Sequence, residues 1–175
     1  MKAIILTYAP VPETEQELLK NTHIAKLAIN QHGEEYKPHI RICSDYNLAY
    51  IYKNFKQPII SVREHFRYIN PRIIPNNLEF KGATIISAVE WLIEMNCDEI
   101  LIVGDNTVNT KDFQDNVKTQ ISKLQEHAKI YQYTNGNFDL PVKSISEFLN
   151  AVDVGFLDQN GEYKEDYQEI DSKEL

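Results

Sequence analysis

Apolar residues along this chain gather in blocks of two kinds. Runs of five to seven residues rich in Ile, Val and Tyr recur at 3–8 (AIILTY), 24–30 (IAKLAIN), 39–44 (HIRICS), 58–62 (PIISV), 99–104 (EILIVG) and 129–134 (KIYQYT). Their length and β-branched content predict strands, although the second also reads as the continuation of a helix begun at Glu13. Between them lie longer segments with a 3.6-residue period. In GATIISAVEWLIEMN the residues Ile85, Ala88, Val89, Leu92 and Ile93 form a broad apolar face, widened by Ile86 and Trp91, and predict a buried central helix. In TKDFQDNVKTQISKLQEHA the stripe Phe113, Val117, Ile121, Leu124 is narrower and predicts a helix covering an outer face of a sheet. Thr110 is placed to cap that helix, with Asp112 in its first turn. Strands alternating with helices, one strand being almost continuously aliphatic, predict an α/β three-layer sandwich with a mostly parallel central sheet covered on both sides.

Length and charge narrow the picture. A chain of 175 residues buries enough apolar surface for one domain without a covalent staple. The composition shifts near residue 153, which predicts a single domain at 1–152 and an acidic tail at 153–175. That tail holds eight acids and two lysines, so it carries -6 of the net charge of -8. With no block of Lys or Arg to follow a phosphate backbone, nucleic acid is not an expected partner. No apolar run reaches the ~18 residues a membrane span needs, and the first residues lack a signal-peptide layout. Cys43 and Cys97 match no metal-ligand spacing and predict buried reduced thiols in a cytoplasmic protein.

In a parallel α/β sheet the ligand sits beyond the carboxyl ends of the strands, where helix N-termini point inward. The residues expected there are Tyr8-Ala9-Pro10, Asn30-Gln31-His32, Ser44-Asp45-Tyr46-Asn47, Arg63-Glu64-His65, Gly104-Asp105-Asn106 and Thr134-Asn135. Each has a structural alternative. Gly104 also suits close packing, Asp105 and Asn106 a turn, Ser44 or Asp45 the cap of a helix over YNLAYIYKNF, and Arg63, His65 and Arg67 a solvated face. Lys81 before Gly82 would put a charge at the start of the central helix, or simply on the surface. The five histidines show no helical ligand pair, and G-x-S-x-G, P-loop and G-x-G-x-x-G signatures are missing.

The segment KGATIISAVEWLIEMNCDEILIVGDN resembles the bacterial lipooligosaccharide sialyltransferases that use CMP-sialic acid. It also resembles the related DUF115 proteins, which include motility accessory factors and pterin pyrophosphokinase-like proteins. RICSDYNLAY is similar to a Cys-Ser-x-Tyr-Asn segment of the former, and KIYQYTNGNFDLPVKSISEFL to the closing strand and helix of the latter. The resemblance implies a Rossmann-like fold and a nucleotide or nucleotide-sugar ligand, with Asn30, Ser44, Asn47, Gly82, Gly104 and Asp105 around it. Two features depart from the pattern. The Gly-x-Gly-Pro-Ser loop is Thr7-Tyr8-Ala9-Pro10-Val11 here, and no histidine follows Asp105 before His127, so the resemblance supplies no general base. Three readings stay open: a glycosyltransferase-like protein with an eroded catalytic apparatus, a non-catalytic binding or accessory protein, and a phosphotransferase acting on a pterin-like heterocycle. Only the last implies a cofactor, Mg2+ held by Asp105 with Asp45.

Overall fold

The computed structural model describes residues 1–8, 11–44, 55–61, 73–74, 76–104, 110–134 and 136–149. Among them, seven strands form one sheet: β1 (Lys2–Leu6), β2 (Ala25–Ile29), β3 (Ile40–Cys43), β4 (Ile59–Ser61), β5 (Ile73–Ile74), β6 (Glu99–Val103) and β7 (Lys129–Gln132). Every pairing between these strands is parallel, and their order is β5-β4-β3-β2-β1-β6-β7. The helices are α1 (Glu13–Asn21), α2 (Thr84–Glu94), α3 (Lys111–Leu124) and α4 (Ile145–Leu149), with a 3-10 turn at Glu34–Tyr36.

Alternation within the strands divides the core in two. Ala3, Ile5, Leu27, Ile29, Ile42, Ile100 and Ile102 face α2 and α3. Ile4, Leu6, Ala28, Leu101 and Val103 face α1, the 3-10 turn and α4. Because both faces are covered, the central strands need no polar alternation, which is why EILIV reads as one aliphatic run. The result is the expected Rossmann-like α/β sandwich.

The second apolar run is a strand and not a helical extension. Thr22 adopts extended backbone at φ -71°, ψ 143°, its Oγ1 accepts the N–H of Ile24 at 3.3 Å, and β2 pairs on both sides with β1 and β3. Two ladders of hydrogen bonds outweigh the helix propensity of Leu27 and Ala28. The remaining strand expectations hold within two residues at their ends. β5, only two residues long, has no pattern from which to read it.

Seven residues of α2 are buried (Thr84 to Val89, and Leu92), as the breadth of its apolar face requires. α3 buries only Val117 and Ile121. The Thr110 hydroxyl accepts the Phe113 N–H at 3.3 Å, the predicted cap. Cys43 and Cys97 are free and buried. Residues 46–54 of the expected helix at 46–55, the Arg63, His65 and Arg67 group and the acidic tail lie outside the described residues.

Candidate functional site

From β1 the chain steps outward through β2, β3, β4 and β5, then returns through α2 to lay β6 against the other side of β1. The reversal between β1 and β6 is where an open parallel sheet forms its crevice. Register aligns the carboxyl ends: Leu6 pairs with Ala28 and Val103, and Ile29 with Ile42. Thr7, Asn30, Ser44 and Gly104 therefore leave the sheet along one edge.

Asn30 and Ser44 are brought together. Asn30 adopts a left-handed backbone at φ 50°, which asparagine tolerates better than most residues. Its N–H donates to Ile42 O at 2.9 Å, and its Oδ1 accepts the Ser44 N–H at 3.2 Å. The Ser44 hydroxyl is hydrogen-bonded to the Thr84 hydroxyl at the first turn of α2. A polar chain thus runs from the end of β2 through β3 to the start of α2. Ala83 provides no side-chain cap there, and no acid lies in that first turn. By contrast, Glu13 and Glu15 occupy the first turn of α1, where they oppose an anion.

Gly82, beside this group, has φ +95°, and a Cβ on it would come no nearer than 3.4 Å to Asn116 Nδ2. Its backbone conformation, rather than crowding, calls for glycine. Lys81 does not turn to the helix start. Its Nζ meets Glu90 Oε1 at 2.5 Å, and that bond raises its pKa.

Gly104 belongs to a different neighbourhood. At φ +118°, a Cβ here would fall 2.8 Å from Tyr8 O and 2.9 Å from Thr7 Oγ1. The Thr7 N–H also donates to Val103 O at 3.0 Å. The end of β6 is thus pressed against the end of β1, two strands away from Ser44. Asn47 and Asp105, the other two residues expected around a ligand, lie outside the described residues.

Arg41 and Thr84 escaped the reading of the sequence. Arg41 is 0% exposed, and its Nη1 donates to Asn30 O and His32 O, each at 2.6 Å. Its Nη2 meets Glu34 Oε2 at 2.5 Å. One guanidinium thereby fixes the turn that carries Asn30. The available signal was an arginine in an otherwise aliphatic strand, HIRICS. Lys26 is similarly buried, donating to Leu19 O at 2.7 Å and Tyr36 O at 2.9 Å, and burial lowers its pKa. Thr84 offered no signal beyond its place at a helix start.

Among the described residues no group of three or more His, Cys, Asp or Glu side chains is arranged to hold a metal. Nor is any helix among them long and apolar enough to cross a membrane. Fold and edge together define a Rossmann-like α/β protein. Comparison with protein-family models, with curated proteins and with solved structures gives no match.

Proposed function

We propose that the carboxyl edge of the sheet recognises a nucleotide or nucleotide sugar, in the manner of a glycosyltransferase whose catalytic apparatus has eroded. The observation that carries this reading is the Asn30–Ser44–Thr84 chain at the acid-free, side-chain-uncapped start of α2. One hydroxyl hydrogen of the Ser44–Thr84 pair is spent within the pair, which leaves the other hydroxyl and the helical N–H groups as donors toward a phosphate, and the helix dipole favours its charge. Gly82 keeps the approach to that turn free of a side chain. In this reading Gly104 stands on the far side of the crevice, and Asp105, next in the sequence, is the further residue expected to meet the ligand.

Transfer is not expected to accompany binding. Residues 106–126 contain no histidine, and the first loop reads Tyr8-Ala9-Pro10-Val11 in place of a glycine-rich turn. The same two features favour the accessory-protein reading as the runner-up. The phosphotransferase reading requires Mg2+ on Asp105 and Asp45 and is separated from the others by metal dependence.

A melting-temperature screen of CMP, CDP, UDP, GDP, ATP and their sugar conjugates, with and without Mg2+, tests all three. A ligand at about 100 times its Kd adds about 2.7 kcal/mol, or roughly 5–10 °C for a domain of this size. At least one nucleotide should give such a shift without Mg2+, and Gly82→Ala should reduce it. Hydrolysis and transfer should stay at background. A flat response to every nucleotide would end the nucleotide reading, and rapid turnover of CMP-sialic acid would end the claim of erosion.

A further inference from the structure

At the amino edge of the sheet, opposite the crevice, the last turn of α2 lies over the starts of β1, β2 and β3 and leaves a cavity of about 260 Å3. Ala25, Leu27 and Ile40 form its floor on the α2 side of the sheet, and Trp91 and Leu92 form its wall. Met1 and Met95, the two methionines of the chain, line its mouth together with His39. We propose that this cavity binds a small, neutral, fused-ring aromatic molecule. It shares no residue with the Asn30–Ser44–Thr84 chain, so it stands whether or not the nucleotide reading survives.

Charge complementarity selects a neutral occupant. The Met1 ammonium is already paired with Asp98 Oδ1 at 2.7 Å. Lys26 borders the cavity, but its Nζ is spent on Leu19 O and Tyr36 O, which belong to the other face of the sheet. His39 Nδ1 accepts the Lys26 N–H at 3.1 Å, and burial holds the His39 pKa below its usual value, so the imidazole is uncharged at neutral pH. The carbonyls that end α2 are taken as well: Trp91 O, Leu92 O and Ile93 O accept the N–H groups of Met95, Cys97 and Asn96 at 3.0, 2.9 and 2.9 Å. An ion entering here would lose its hydration and find no free partner of opposite charge. Water fares little better, because a held water needs about two to four polar partners, and apolar surface that displaces loosely held water gains affinity.

The lining separates an aromatic ring from an aliphatic chain. The Trp91 indole offers an aromatic surface, and stacked or edge-on rings attract beyond the area they bury. The thioethers of Met1 and Met95 are polarizable, adapt to the outline of a flat ring and make favourable sulfur–aromatic contacts. Both side chains are open to a ligand, Met1 being 61% and Met95 44% exposed. An aliphatic molecule would gain burial alone. Volume sets the size: an apolar cavity of about 150 Å3 takes benzene, and the larger space here takes a second fused ring.

The walls are set before any ligand arrives. Asn96, in the left-handed region at φ 65°, turns the chain out of α2, and the Asp98 N–H then donates to Met1 O at 3.0 Å. The exit from α2 is thereby tied to the start of β1 on either side of the mouth. A site held in this way loses little entropy on binding.

The test is an amide-resolved NMR titration of the full chain at neutral pH with indole and quinoline, beside benzoate, trimethylphenylammonium and cyclohexanol. At least one of the fused-ring probes should give saturable shifts at the Trp91 indole N–H and at the amides of Ala25, Ile40 and Met95, while the two ions and the alicyclic alcohol leave them in place. Trp91→Leu should weaken that probe roughly fivefold. If Trp91→Leu proves unfolded, Met95→Ala, at an exposed position past the last turn of α2, makes the same comparison. Silence from both fused-ring probes, equal or stronger binding of an ion or of cyclohexanol, or undiminished affinity in the folded variant would each overturn the proposal. So would shifts of the same signals on raising the protein concentration alone, which would assign this face to a second copy of the chain.

Discussion

Gly82 and Gly104 look alike in the sequence and owe their glycine to different forces. Both have positive φ, but only Gly104 is crowded, with Tyr8 O and Thr7 Oγ1 inside 3.0 Å of where a Cβ would stand. Gly82→Ala should cost only the backbone term, roughly 1–2 kcal/mol. Gly104→Ala adds a clash with backbone that cannot swing aside, so its cost should exceed that of Gly82→Ala by about 1–3 kcal/mol. Urea unfolding of the two variants side by side measures the difference. Equal midpoints would mean that the ends of β1 and β6 separate easily. Arg41 makes the complementary point. An arginine in an aliphatic strand advertises that it must be satisfied, but its partners are carbonyls of Asn30 and His32 on the preceding turn. No local pattern names them.

Elements were read well where they were long and periodic. α2 and α3, each more than ten residues, show their faces directly, and the Thr110 cap is visible because a hydroxyl precedes the first turn. β5 is too short for a period. The run at 24–30 was ambiguous because Leu and Ala suit a helix as well as a buried strand, and only pairing with β1 and β3 resolves it.

The link between β2 and β3 carries a pH dependence. His39 Nδ1 accepts the Lys26 N–H at 3.1 Å, and the His39 N–H donates back to Lys26 O at 2.9 Å. An imidazole can accept at Nδ1 only while neutral there. Burial, followed by the charges of Lys26 and His23, holds the His39 pKa below its usual value near 6.5. The unfolded chain therefore takes up the proton first. This contribution to stability is present above that value and is lost as pH falls through the folded pKa. Urea midpoints taken from about pH 7.5 to about pH 5 should decline, and more shallowly in His39→Asn. An identical slope in the variant would remove His39 as the cause.

Assembly of the sheet shields the thiols. Cys43 is 0% and Cys97 2% exposed, and burial raises the Cys97 pKa, so less thiolate is available to react. Both should resist a thiol reagent in the native protein and react at once in denaturant. Rapid native labelling of either would show that its end of the sheet opens readily. At this level the relative placement of the candidate residues is also decided. Asn30 and Ser44 meet, joined by a Thr84 that was not anticipated, while Gly104 sits with Thr7 and Tyr8 on the far side of the reversal.

Hydrophobic period and run length were enough to read an α/β sandwich with a mostly parallel sheet, one buried and one outer helix, a capped helix start and two sheltered cysteines. Those properties follow from burial, and burial leaves its mark on every few residues of a chain. The order β5-β4-β3-β2-β1-β6-β7, the contact of Gly104 with Tyr8, the clamp of Arg41 and the cavity beside Trp91 came only with the folded structure. They depend on which strands become neighbours, and that choice is made by pairing and packing between segments as many as a hundred residues apart, as when Leu6 meets Val103. No stretch of sequence read locally records it.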